Sequence, residues 1–95
     1  MPESPLYRIE VSPSADRDLQ KLKARIVRQD FKRLAMAIDK LASEPRPHNV
    51  RKIENAATAY RIRVGSYRIV YDIHDDKKLV LILQVARRSE TTYRS

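Results

Sequence analysis

The chain has 95 residues, enough for one domain with a modest core, and its 42% hydrophobic against 34% charged residues is a soluble globular balance. The formal net charge is +8, and the excess lies after residue 45, where eleven basic residues, eight of them arginine, face five acidic ones. That distribution favours a nucleic acid or an acidic protein as partner over a membrane surface, since no basic amphipathic helix with bulky apolar anchors is present. Cysteine is absent, which excludes disulfides, thiolate catalysis and zinc sites of the Cys type. No apolar run approaches a membrane span and Met1-Pro2-Glu3-Ser4-Pro5 lacks a signal-peptide pattern, so a cytoplasmic protein is expected.

Leu6 to Val11 alternates Tyr7, Ile9 and Val11 with Arg8 and Glu10, the pattern of a short strand. Ser12 and Pro13 then form a helix start, Ser12 as N-cap and Pro13 in the first turn. Ala15, Leu19, Leu22 and Ile26 follow at helical spacing, with Asp16 and Asp18 near the positive end of the dipole. A second helix is expected from about Asp30 to Ser43, its stripe made of Phe31, Leu34, Ala35, Ile38, Leu41 and Ala42, and Glu44-Pro45-Arg46-Pro47 stops it. Arg17, Lys21, Arg25, Arg28, Lys32 and Arg33 lie off these stripes and read as a solvated face.

After Pro47 the texture changes to strand. Asn49 to Glu54 is a short extended piece, and Asn55-Ala56-Ala57-Thr58 a small-residue loop. Tyr60 to Val64 and Tyr67 to Ile73 read as a hairpin around Gly65-Ser66, with the only glycine of the chain first in the loop, as a type II′ turn requires. That loop pairs Val64 with Tyr67, Arg63 with Arg68, Ile62 with Ile69 and Tyr60 with Tyr71. Alternation then puts Tyr60, Ile62, Val64, Tyr67, Ile69 and Tyr71 on one face, and Arg61, Arg63 and Arg68 on the other. Like charges directly opposite cost perhaps ~0.2–1 kcal/mol per pair, so Arg63 against Arg68 points to an anion, a polyphosphate above all.

Asp75-Asp76-Lys77-Lys78 is a polar turn. Leu79 to Ala86 is apolar on both sides and should be a central strand, with Leu6–Val11 at the edge beside it. The expected order is βααβββ: an α+β fold, a helical hairpin packed on a mainly antiparallel four-stranded sheet, forming one domain over residues 1–95 with loose ends at 1–5 and 94–95. His48, in a connection, and His74, beside Asp75 and Asp76, both read as surface residues. No paired carboxylates, Gly-rich phosphate loop or Ser/His/Asp set stands out. Arginine and tyrosine on a strand scaffold remain as the carriers of function.

These features together resemble the RelE/ParE superfamily of bacterial toxins. The resemblance rests on the βααβββ order, Glu44-Pro45-Arg46-Pro47, Lys52-Ile53, the strands Tyr60-Arg61-Ile62-Arg63-Val64 and Tyr67-Arg68-Ile69-Val70-Tyr71, and the closing Val85-Ala86-Arg87-Arg88 with Tyr93. It covers about residues 6–94, and the hairpin is its specific part. RelE-like members are ribosome-dependent endoribonucleases that cut messenger RNA, whereas ParE-like members inhibit DNA gyrase. The RelE-like pattern implies a catalytic set falling on Arg61, Arg63, Arg68, Arg88 and Tyr93, with Arg51, Lys52 and Arg87 as RNA-binding neighbours. It implies no metal and no cofactor, and attack of a ribose 2′-hydroxyl on the adjacent phosphate. It also implies three kinds of partner: an acidic antitoxin, the ribosome with its RNA and message, and operator DNA only through the antitoxin.

There are two departures from the family pattern. The first-strand pair is often lysine in the family, one of them a proposed general base. Arginine, with a pKa above ~12, is a poor proton acceptor. One residue fewer separates the last strand from Tyr93. A ParE-like gyrase inhibitor and an RNA-binding member without catalysis are the alternative readings.

Overall fold

A computed structural model describes residues 6–88. Its elements are β1 (Arg8–Val11), α1 (Pro13–Arg25), α2 (Arg28–Lys40), β2 (Arg51–Lys52), β3 (Ala59–Val64), β4 (Tyr67–His74), a 3-10 turn at Asp75–Lys77 and β5 (Leu79–Arg87). The sheet order is β1-β5-β4-β3-β2, with β1 parallel to β5 and every other pair antiparallel. The α+β architecture and the edge position of β1 beside β5 are as the sequence predicts. The sheet has five strands rather than four, because Arg51 and Lys52 pair with Arg61 and Tyr60. No helix among the described residues is long and apolar enough to cross a membrane.

Local chemistry sets the helix ends. Ser12 Oγ accepts from Ala15 N at 3.1 Å, with Pro13 opening α1. Asp18 serves the sheet rather than the helix dipole: its Oδ2 accepts from Val85 N at 3.0 Å, on the stretch of β5 that β1 is too short to cover. Helix α2 ends at Lys40, before the expected Ser43, because the chain tightens. Leu41, Ala42 and Ser43 donate three residues back, to Ile38, Asp39 and Lys40, and this turn keeps Leu41 buried.

The main core lies between the helices and one sheet face, where Leu34, Leu41, Ile69, Tyr71, Val80 and Ile82 are fully buried. A smaller core forms on the other face, with Ile53 against Ala59 and Val70, flanked by Ala56 and Leu83. Asn55 takes a positive φ of 64° and Ile53 N donates to Ala59 O at 3.0 Å. The loop after β2 therefore folds back over the sheet, which is why β2 stops after two residues. In β5, Ile82 pairs with Tyr71 and Gln84 with Val70, leaving Leu83 as the extra residue of a bulge.

The connection after α2 is held by a polar clamp. The buried Tyr71 donates its hydroxyl to Pro45 O at 2.7 Å, satisfying the one polar atom of its ring system. Arg46 grips Asp75 with two bonds, Nη1 to Oδ1 at 3.2 Å and Nη2 to Oδ2 at 2.8 Å, and its Nε reaches the Tyr60 hydroxyl at 3.4 Å. Its guanidinium lies 5.3 Å from the centre of the Tyr60 ring, which stacks on Tyr71. Tyr7 also donates to Asp75 Oδ1. The bonds from Arg46 and then Tyr7 hold the Asp75 carboxyl down to about 2, and burial raises the Tyr71 phenol.

Because the folded Asp75 titrates below an unfolded aspartate (~3.9), its contribution to stability is complete above about pH 4 and is lost as the pH falls toward 2. Thermal melts from pH 7 to pH 2 should show Asp75→Asn less acid-sensitive than wild type. Arg46→Ala should lower the melting temperature at pH 7 by roughly 4–8 °C, the shift that accompanies ~1 kcal/mol in a domain of this size.

Candidate nucleic-acid interface

The β3–β4 hairpin has the expected register at every pair, including Arg63 opposite Arg68 and Tyr60 opposite Tyr71. Gly65 has φ +60° while Ser66 is not among the residues of positive φ, which matches a type II′ turn. Tyr60, Ile62, Val64, Tyr67, Ile69 and Tyr71 join the core beneath the helices. The alternate residues Arg61, Arg63 and Arg68 share the other face. Pairing of β2 adds Arg51 directly beside Arg61. The far half of this face is closed by the Ile53 cluster over Ala59 and Val70, so the arginines occupy the half nearest the turn.

The hairpin itself supplies one carboxylate. Asp72, the one acidic residue of the hairpin, lies at its opposite end and accepts from Thr58 Oγ1 at 3.0 Å. Neither Arg63 nor Arg68 makes an ion pair with a described residue. Arg68 is half-buried, and its buried Nε has no hydrogen-bond partner among the described residues. Leaving such a donor unpaired costs ~1–3 kcal/mol.

Two adjoining cavities border the basic face. One, of about 390 Å³, is lined by His48, Asn49, Val50, Arg51, Arg61 and Arg63. The other, of about 250 Å³, is more apolar. It runs between the end of α2 and the outer edge of β3, past Leu41, Pro47, Ile62 and Val64, and shares His48, Asn49 and Arg63 with the first. The sequence pattern left His48 as an ordinary surface residue. It is exposed, but it stands in the wall of the arginine cavity. Its turn is set by Val50 N donating to Pro47 O at 2.9 Å.

The remaining expected site residues divide. Arg88 sits at the turn end, its backbone N donating to Ser66 O at 2.7 Å and its Nη1 to Gly65 O at 3.2 Å. Arg87 lies on the opposite face, paired with Tyr67 and with its guanidinium 5.8 Å from that ring's centre, and it lines a cavity with Leu22, Arg25 and Ile26. Alternation along β5 separates it from Arg61, Arg63 and Arg68. Lys52 is also withdrawn: its Nζ donates to Ala56 O at 2.6 Å and Ala57 O at 3.1 Å, tying down the loop after β2. Tyr93 lies outside the described residues. Arg46 escaped the sequence pattern because its partner Asp75 is 29 residues away. The signal was there in its place between two prolines, which leave the backbone few alternatives.

Comparison with known proteins agrees with this architecture. The chain is 25% identical over 85 residues to a Methanocaldococcus jannaschii protein carrying the toxin name RelE1, a match covering 86% of this chain and 90% of the relative. The RelE–RelB complex of Pyrococcus horikoshii superposes with a TM-score of 0.75 at 26% identity, covering 90% of this chain and 99% of that one. The RelBE2 toxin–antitoxin complex of Mycobacterium tuberculosis gives 0.73, also at 26%, over 93% and 98%. The family model described as the ParE toxin of the type II toxin–antitoxin system, parDE, matches residues 9–92. The chain therefore belongs to the ParE toxin family of type II toxin–antitoxin systems, within the RelE/ParE superfamily.

Proposed function

We propose that this toxin is a RelE-type, ribosome-dependent messenger-RNA endoribonuclease. The observation that carries this reading is the sheet face shared by Arg51, Arg61, Arg63 and Arg68, on which Arg51 stands opposite Arg61 and Arg63 opposite Arg68. Attack of a ribose 2′-hydroxyl on the neighbouring phosphorus builds extra negative charge on a pentacoordinate phosphorane. Fixed guanidinium donors stabilise that charge more than they stabilise the ground state. Arg61, Arg63 and Arg68 are assigned to the non-bridging oxygens and Arg88, at the rim, to the leaving 5′-oxygen. Tyr93 is assigned a base-stacking or proton-shuttling role, stacking alone being worth ~1–3 kcal/mol. Arg51 extends the track for the RNA backbone. Lys52 and Arg87 are left with structural contacts.

The partner that restrains such an activity is an acidic antitoxin, in keeping with a net charge of +8 and with the antitoxin-bound relatives from Pyrococcus horikoshii and Mycobacterium tuberculosis. Operator DNA is reached through that antitoxin. A second reading, inhibition of DNA gyrase, is favoured by the description of the matching family model. A gyrase inhibitor works by binding and makes no demand for donors aimed at a phosphorane.

Replacing Arg68 by Ala should reduce cleavage of ribosome-bound message by ~10²–10³-fold. Arg61→Ala and Arg63→Ala should each weaken it, and Arg63→Ala should melt at or slightly above wild type as its repulsion with Arg68 is relieved. Tyr93→Phe separates proton transfer, which needs the hydroxyl, from stacking, which does not. Mapping of RNA ends after expression, beside a supercoiling assay, decides between the two readings. A fully toxic Arg68→Ala, with no new RNA ends and blocked gyrase from wild type, establishes the inhibitor.

A further inference from the structure

We infer that His48 is the proton acceptor of the RNA-cleaving site, supplying across the cavity the base that β3 lacks. This rests on the nuclease reading above. On this face the strand offers the guanidinium groups of Arg61 and Arg63, and guanidinium is a poor proton acceptor. An imidazole exchanges a proton near neutrality and is the ordinary choice for taking one from a hydroxyl. His48 is placed where that role requires it, in the wall of the 390 Å³ cavity that Arg51, Arg61 and Arg63 complete. A cavity of that size admits a ribose with its phosphate. The guanidinium groups would face the phosphate from β2 and β3 while the imidazole faces it from the connection.

The placement is built rather than incidental. His48 follows Pro47 in a turn closed by Val50 N to Pro47 O at 2.9 Å. Two residues earlier Arg46 is gripped by Asp75, and Pro45 O accepts from the buried Tyr71. The loop is thus anchored to the core immediately before the histidine, which acts on substrate while Arg46 and Tyr71 act as positioning residues. The charged groups around His48 are Arg51, Arg61 and Arg63 on the strand side, and Lys40 and Glu44, themselves paired at 4.0 Å, on the side of α2.

In the step, an imidazole nitrogen of His48 removes the 2′-hydroxyl proton as the 2′-oxygen bonds to phosphorus. The bond from phosphorus to the 5′-oxygen breaks, and that oxygen takes a proton from water. The products are a 2′,3′-cyclic phosphate and a 5′-hydroxyl, and the imidazolium returns its proton to solvent. Atoms and charge balance with no further reactant.

The test is single-turnover cleavage of ribosome-bound message from pH 5 to pH 9 by wild type, His48→Gln, His48→Ala and Glu44→Gln. His48→Gln should lose ~10²–10⁴-fold in rate, the usual worth of a general base. It should also lose the acid limb of the wild-type profile while keeping wild-type ribosome binding and melting temperature. Added imidazole should restore part of the activity of His48→Ala, an effect that a merely structural histidine would not give. The inference is overturned if His48→Gln cleaves within about twofold of wild type with the acid limb intact, if imidazole rescues nothing, or if the limb disappears in Glu44→Gln instead. Wild type that yields no RNA ends at all removes the nuclease reading, and this inference with it.

Discussion

The bond from the Tyr71 hydroxyl to Pro45 O, with the Arg46–Asp75 pair beside it, is the contact on which the geometry of the interface depends. A phenol buried at the centre of the core must find an acceptor, and here the acceptor is the backbone of the connection leaving α2. Without that anchor, residues 44–50 would be a free crossing from helix to edge strand. With it, two prolines, a bidentate ion pair and a short turn deliver His48 and Asn49 to the mouth of the arginine cavity. The same clamp draws in Tyr7 from the start of β1 and Asp75 from the end of β4, so three distant parts of the chain share one polar knot. Its charges are half-exposed, and its effect is to fix direction more than to add stability.

The sheet divides its two faces between opposite duties. Beneath the helices, alternation supplies isoleucine, valine and tyrosine to the buried core. On the other side the Ile53 cluster covers one half and leaves the other to arginine. Local consistency would put opposite charges, or polar and neutral residues, at the Arg63–Arg68 pair. The chain instead sets like against like and buries an unpaired Nε beside them. Stability alone does not account for that arrangement. Sites where local rules fail without compensation inside the fold are where a partner is to be sought.

What could be read from the sequence follows the range over which each signal acts. The hairpin register was legible because a single glycine fixes the turn and period two does the rest. The Ser12 cap was legible because its partner is three residues away. The place of β1 followed from the apolar character of Leu79 to Ala86 and from connectivity rules. Other features depend on partners far along the chain. Asp18 reads as a dipole residue until the uncovered edge of β5 is seen beside it. Ile53 reads as part of a strand until Asn55 turns the chain back. Arg87 and Arg88 look equivalent in a basic pair, yet the alternation of β5 sends Arg87 to the helix side and leaves Arg88 at the turn. His48 carries no local pattern at all, and only the folded path of its loop brings it to the arginines.

A fold alone does not choose between the two proposed activities, so the weight falls on the site. An inhibitor needs a surface complementary to its target, and scattered exposed arginines would satisfy it. A phosphoryl-transfer site needs more: several donors converging on one volume, held in place before the substrate arrives, with a proton acceptor within reach of the attacking hydroxyl. Here the donors come from two adjacent strands whose register is fixed by the Gly65 turn, and the Nε of one of them has no partner among the described residues. The wall facing them is a clamped loop rather than a free one. Preorganisation of this kind costs folding free energy through like-charge repulsion and an unsatisfied donor, and simple adhesion does not require that cost. That cost is the physical ground for proposing a transition state, rather than adhesion alone, against this face.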